Sequence, residues 1–295
     1  MSATSLAIRM PSLRAPPPCA VPALACEAEV AEALRVFLAR HRPCVLTGAG
    51  ISTASGIPDY RDASGQWKRG APITWQQYLA DPAFRARYWR RSYAGWPVVE
   101  AARPNAAHRA LAQWQLDGRI GGLVTQNVDG LHQRAGASEV LDLHGRIDTV
   151  ACLACGERLP RARMQAMLAA AHPRWTTAAE AAPDGDAQVD DIDAAGFHEP
   201  PCPRCGGLLK PDEVFFGENV PAMRVQRVQE MVAAADALLV IGSSLVVYSG
   251  YRIARAAAQA GKPVALLTRG VTRADPLATH KWDVDCAVLA RLADQ

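Results

Sequence analysis

The sequence predicts an α/β protein: a doubly wound parallel (Rossmann-like) sheet with a small cysteine-bearing module inserted in it. Three observations lead there. Short apolar runs at Cys44–Thr47, Ile120–Thr125, Val140–Leu143, Ala237–Ile241 and Val264–Leu267 alternate with segments of helical spacing. These runs end in polar or glycine-bearing loops, where doubly wound sheets bind ligands outside the strands' carboxyl ends. Two C-x-x-C doublets, Cys152/Cys155 and Cys202/Cys205, then interrupt the alternation.

Bulk properties bound the function. The 295 residues are 49% hydrophobic and 21% charged, enough for one large domain plus a small module. The net charge of +3 and the absence of like-charge runs argue against a nucleic-acid partner. No apolar run reaches the roughly 18 residues needed to span a membrane. Paired cysteine doublets belong to a reducing compartment, so the cytoplasm is the expected location. Residues 1–26 contain arginines, serines and prolines but no acid, and read as a disordered extension or a transit segment. In the second case the mitochondrial matrix replaces the cytoplasm.

The elements follow in order. Val30, Leu34, Val36 and Leu38 give Glu27–Ala39 the spacing of a helix packed beside the first strand. The strand Cys44–Thr47 leads into GAGISTASGIPDYRD at 48–62. Gly48-Ala49-Gly50 has the form of a phosphate-binding turn, with backbone N–H groups approaching the pyrophosphate and Ser52 adding a hydroxyl. A dehydrogenase fingerprint wants a third glycine at position 53 and, about twenty residues on, an acid for the ribose. Thr53 and the loop Ile57-Pro58-Asp59-Tyr60-Arg61-Asp62 stand there instead, so hydride transfer is disfavoured.

Aromatic residues from Trp75 to Trp96 are read as a satellite core on short helices, Asn105 as a helix N-cap, and His108 as structural. The next strands deliver Gln126-Asn127-Val128-Asp129 and His144-Gly145. The Ala/Asp-rich stretch of about 176–196 reads as an exposed insertion within the cysteine region. Beyond it, Ala237–Ile241 delivers Gly242-Ser243-Ser244, a helix runs through Ile253 to Ala260, and Val264–Leu267 delivers Thr268-Arg269-Gly270. The expected division is a nucleotide-binding domain of 27–150 and 206–295 around a module of 151–205.

The doublets supply four thiolates, Cys152, Cys155, Cys202 and Cys205. That number closes a tetrahedral zinc shell and leaves no open position, so the expected ion is structural. Pro203, Gly156 and Gly206 suit the tight turns of a zinc ribbon.

Together, GAGISTASGIPDYRD, TQNVDGLHQRAG (125–136), LHG (143–145), the two cysteine pairs, LKPDEVFFGE (209–218) and IGSSL (241–245) resemble the sirtuins, NAD-dependent protein-lysine deacylases. The match runs from about residue 28 to the C-terminus with the blocks in the family's order. RYWRRSYAGWP (87–97), the long inter-cysteine insertion and VVYSGYR (246–252) look most like class II, which includes the mitochondrial-type sirtuin and its bacterial relatives.

The resemblance implies that NAD is a reactant and zinc a structural ion. The acyl oxygen of a modified protein lysine attacks the ribose carbon as nicotinamide leaves, giving O-acyl-ADP-ribose and free lysine. It also leaves protein ADP-ribosylation as an alternative use of the same NAD cleavage. His144 is then the general base that activates a ribose hydroxyl. Asn127 and Asp129 would recognise the carboxamide and ribose, and Gln126 the ribose hydroxyls. Ile57, Pro58, Asp59 and Tyr60 would line the nicotinamide end. Arg61 would serve the phosphates or hold the loop, or else make a surface ion pair. Gly242, Ser243 and Ser244 would hold the adenosine ribose, with Thr268 where the family commonly has asparagine, followed by Arg269 and Gly270. Cys286 would approach the adenine through its backbone. The substrate peptide would lie as an added strand between Gly217-Glu218 and the Val246 segment, its acyl-lysine entering past Val214 and Phe215. Loop 63–68 lacks the tyrosine that accompanies preference for negatively charged acyl groups, so succinyl preference is not expected.

Overall fold

The computed structural model describes residues 18–59, 72–175 and 196–292. Seven strands form one parallel sheet: β1 (Ala23–Leu24), β2 (Cys44–Thr47), β3 (Gly122–Thr125), β4 (Val140–Asp142), β8 (Leu238–Ile241), β9 (Val264–Leu267) and β10 (His280–Trp282). Their order is β1-β10-β9-β8-β2-β3-β4. From β2 the chain builds outward through β3 and β4, then returns to β2's other side and builds through β8, β9 and β10. The direction of winding therefore reverses between β2 and β8, and a crevice opens there at the carboxyl ends.

The strands are apolar throughout because both faces are covered. Residues of β2, β8 and β9 are all buried. Val45, Leu239, Ile241, Ala265 and Leu267 face α1 (Glu27–Arg40), α4 (Ala106–Leu116) and the terminal 3-10 helix Cys286–Leu292. Their neighbours Leu46, Val240, Val264 and Leu266 face α7 (Ala222–Ala234) and α8 (Tyr248–Gln259). On α1 the buried stripe is Val30, Leu34, Phe37 and Leu38. Val36, expected inside, is 37% exposed; a 3.6-residue period selects 37 over 36 once 30 and 34 are fixed. Residues 18–26, expected as part of an extension, are ordered enough for β1 to pair with β10; residues 1–17 lie outside the described set.

The cysteine region carries its own antiparallel sheet of β5 (Gly145–Cys152), β6 (Arg158–Pro160) and β7 (Leu209–Glu213), in the order β6-β5-β7. It begins at the residue after His144, so the small sheet starts directly from the floor of the crevice. The aromatic satellite core joins it. Tyr78 on α2 (Trp75–Ala80), and Tyr88, Trp89 and Tyr93 on α3 (Pro82–Ala101), pack with Val150, Cys152, Cys202, Leu209 and Phe215. Trp96 departs from this group and packs with Ile57, Val128 and Leu131 instead.

Asn105 caps α4 as expected, its side chain accepting from the Ala107 and His108 amides.

Candidate active site

A cavity of about 950 Å³ occupies the crevice, within the range of small-molecule sites. Two glycine turns form its floor at the switch point. Gly48 N donates to Ile241 O at 3.0 Å and Gly50 N to Gly242 O at 2.9 Å. A Cβ on Gly48 would stand 2.7 Å from Ser243 Cβ, and one on Gly50 2.9 Å from Gly242 O. Gly242 adopts φ +63° with the Ile51 amide where its Cβ would be. The expectation for the Gly48 and Gly50 amides is thereby corrected. They are spent on the neighbouring turn, and of the three only the Ala49 N–H makes no backbone bond among the described residues. The glycines are needed because two turns interlock, not because their own N–H groups face a phosphate. Thr53 fits the same picture. Two short 3-10 turns, Ala49–Ile51 and Thr53–Ser55, replace the long helix that a third glycine would pack against its strand, and Thr53 Oγ1 donates to Gly50 O at 3.0 Å.

A polar triad lies beside the floor, Ser52 and Asp129 buried and Asn127 half-buried. Ser52 Oγ donates to Asp129 Oδ2 at 2.7 Å, and Asn127 Nδ2 donates to Ser52 Oγ at 3.0 Å and to Gly48 O at 3.1 Å. Asp129 Oδ1 accepts from the Leu131 amide at 2.8 Å. These bonds hold Asn127 with its side-chain carbonyl oxygen uncommitted among the described residues. Gln126 Nε2 donates to Ser243 Oγ at 2.7 Å, which ties the β3 loop to the β8 loop across β2. His108 stands behind, fully buried, 3.5 Å from Ser52 Oγ and tilted against the His132 ring at a centroid distance of 4.9 Å; burial pushes its pKa down to about 4, helped by the Arg109 and Arg134 charges. Its structural reading holds.

His144 ends the β4 loop. Its Nδ1 is 2.9 Å from Gln126 O and its Nε2 is 2.7 Å from Ser249 Oγ. A carbonyl oxygen only accepts, so Nδ1 carries the proton and Nε2 is the bare, basic nitrogen. Burial, with the Arg224 and Arg252 charges adding to it, pushes the imidazole pKa down to about 4 against the pull of the Gln126 carbonyl. The ring is neutral at physiological pH and can accept a proton.

Other expected residues fall as follows. Ile57, Asp59, Val214, Phe215, Gly217, Val246, Ser243, Ser244, Thr268 and Arg269 line the cavity. So does Glu218, but its carboxylate folds back onto the Phe215 amide at 2.9 Å and Lys210 Nζ at 3.0 Å, fixing the loop. Pro58, Gly270 and Cys286 are not among the lining residues. Gly270 is held below the rim by Asp283 and Lys281. The Cys286 thiol lies beneath the Gly242 turn, where a Cβ would meet it at 3.1 Å; burial pushes its pKa up to about 12. Tyr60, Arg61, loop 63–68 and most of the 176–196 insertion lie outside the described residues. Sequence reasoning missed Tyr88, whose hydroxyl donates to Glu213 at 2.8 Å on the cavity wall, and Ser249. Tyr88 was hidden among core aromatics; the serine stood in the VVYSGYR block without a role.

The four cysteine sulfurs lie within 4.8 Å of one another. Cys152 and Cys205 are 3.5 Å apart, and Cys155 and Cys202 are 3.9 Å apart. Zn–S bonds of ~2.3 Å at tetrahedral angles separate thiolates by ~3.8 Å, so the donor set fits one zinc ion with no open coordination position.

The comparisons agree with this geometry. Residues 48–249 match the Sir2 family model. A relative from Xanthomonas axonopodis pv. citri is 54% identical over 86% of this chain and 87% of its own. One from Bordetella bronchiseptica is 55% identical over 86% and 94%. Both are named NAD-dependent protein deacetylase. A Sir2 complex with a p53 peptide and NAD+ superposes with TM-score 0.69 at 29% identity, over 88% of this chain and 95% of that one. A further Sir2 enzyme gives TM-score 0.70 at 30% identity, over 91% and 98%. The chain belongs to the Sir2, or sirtuin, family.

Proposed function

We propose that the protein removes acyl groups from lysine side chains of other proteins and consumes NAD in doing so. The observation that carries this reading is the neutral His144, its Nδ1 anchored on Gln126 O and its Nε2 turned to a cavity whose floor is an interlocked glycine turn. NAD is the co-substrate, its pyrophosphate over the Ala49 amide and its adenosine end toward Ser243, Ser244 and Thr268. The Asn127 carbonyl and the Asp59 and Ile57 side address the nicotinamide end. Bond cleavage between nicotinamide and ribose exposes the ribose carbon to the acyl oxygen. His144 then takes a proton from a ribose hydroxyl so that it attacks the acyl carbon. A donor arrangement fixed by hydrogen bonds before substrate arrives costs little to reorganise during reaction.

The protein substrate adds as a strand between Gly217-Glu218 and Val246-Val247. Rigid supports favour this: Gln76 Nε2 holds Gly217 O at 3.0 Å, and Arg273 Nη1 holds Val246 O at 3.1 Å. The zinc ion, held by Cys152, Cys155, Cys202 and Cys205, braces the sheet from which Phe215 reaches the cavity. No helix among the described residues is long and apolar enough to cross a membrane. The test is incubation with NAD and peptides that differ only in the acyl group on one lysine. Free lysine and nicotinamide should form together, and His144→Ala should abolish free lysine and limit nicotinamide to at most one turnover; nicotinamide release that ignores the acyl group contradicts the reading.

A further inference from the structure

Ser249 has no part in the reaction as described above, yet it touches the base. It is the second residue of α8, it lines the cavity, and its Oγ is 2.7 Å from His144 Nε2. With Nδ1–H committed to Gln126 O, Nε2 only accepts, so the Ser249 hydroxyl is the donor. The lone pair that must take the substrate's proton is therefore already filled by a serine proton. Helix capping does not explain the serine. The N-cap of α8 is Val247, and no side chain caps that end. No other donor or acceptor among the described residues engages Ser249 Oγ, so its lone pairs face the cavity. The next residue supports the contact. A Cβ on Gly250 would stand 2.3 Å from Gln126 Oε1, so the glycine is what lets α8 approach the loop that anchors His144.

We propose that Ser249 is a proton relay between the reacting ribose hydroxyl and His144. The hydroxyl donates to Ser249 Oγ while Ser249 donates to Nε2. As the acyl carbon is attacked, the substrate O–H breaks and its electron pair stays on the attacking oxygen. A new O–H forms on Ser249, the old Ser249 O–H breaks, and an N–H forms at Nε2. Ser249 ends neutral, and the imidazolium is held by Gln126 O through Nδ1–H. The proposal rests on the deacylase reading and goes one step inside it.

The test is single-turnover acyl transfer from an acetyl-lysine peptide at saturating NAD, run with the whole chain in H2O–D2O mixtures. The wild type should give a curved proton inventory, two protons moving in one step. S249A should turn linear and slow roughly ten- to hundredfold, with peptide and NAD KM within about twofold of wild type. S249T should restore curvature and most of the rate, which a merely structural serine would not require. A linear wild-type inventory, or S249A within about twofold of the wild-type rate, overturns the relay. Wild-type protein that forms no product overturns the deacylase reading together with it; product with a linear inventory overturns the relay alone. Because the wild-type inventory is decisive by itself, a variant that fails to fold does not protect the proposal.

Discussion

His144 Nδ1 lies 2.9 Å from the carbonyl oxygen of Gln126, and that one contact assigns the tautomer of the base. The carbonyl fixes the proton on Nδ1, and burial keeps the ring neutral down to about pH 4. The acid limb of kcat/KM should therefore sit far below an ordinary imidazole. Between pH 5 and 8 the contribution of this group should be flat. A limb of unit slope with its midpoint near 6.5 would contradict the assignment.

The same burial makes the fold acid-sensitive. His108 and His144 are pushed down to about 4 and His132 to about 3, each chiefly by burial. Each binds a proton more readily unfolded than folded. Stability is thus fully present above the unfolded pKa near 6.5 and is lost as pH falls toward the folded values. The expected slope between pH 6 and 4.5 is about 1.4 kcal/mol per pH unit for each histidine. Urea midpoints across that window, compared between wild type and His132→Gln, measure it; the variant should show the shallower dependence.

Two glycines of the active-site region, Gly48 and Gly250, should respond differently to alanine. At Gly48 the added Cβ meets Ser243 Cβ and the Gly242 carbonyl, atoms that cannot move without opening the interlocked turns. Gly48→Ala should cost about 1–3 kcal/mol and raise the KM for NAD. At Gly250 the obstacle is the end of the Gln126 side chain, which can swing away from Ser243. Gly250→Ala should stay within about 1 kcal/mol of wild type, since alanine also favours the helix. Thermal melts with and without NAD separate the two cases.

Zinc should be needed for the shape of the active site as well as for folding. Cys152 and Cys202 are buried in the same cluster as Tyr88 and Phe215, and both of the latter line the cavity. Cys155→Ser, at the exposed side of the thiolate set, should lower stability by about 4 kcal/mol or more. Metal content by atomic emission should fall in parallel with peptide binding. Retained metal with unchanged activity contradicts this.

Much of this was legible in the sequence, and the exceptions have physical causes. The strands, the four thiolates and His144 follow from patterns carried by neighbouring residues: apolar runs, doublet spacing, a polar residue just after a strand. The role of Gly48 was not legible, because the obstruction comes from Gly242 and Ser243, which chain order puts far away. Ser249 was missed for a related reason. Reading α8 through Ile253 to Ala260 left 248–252 without a face, whereas the helix begins at Tyr248 and aims Ser249 at the ring. Val36 gave way to Phe37 through the phase of a single helical turn.

The most direct measurement is the fate of the acyl group, followed by mass spectrometry after reaction of NAD with one acetyl-lysine peptide. The predicted result is O-acetyl-ADP-ribose, nicotinamide and free lysine in equal amounts, with O-acetyl-ADP-ribose and free lysine lost in His144→Ala. Free acetate with NAD left intact, or ADP-ribose attached to protein without any need for the acetyl group, would contradict the account.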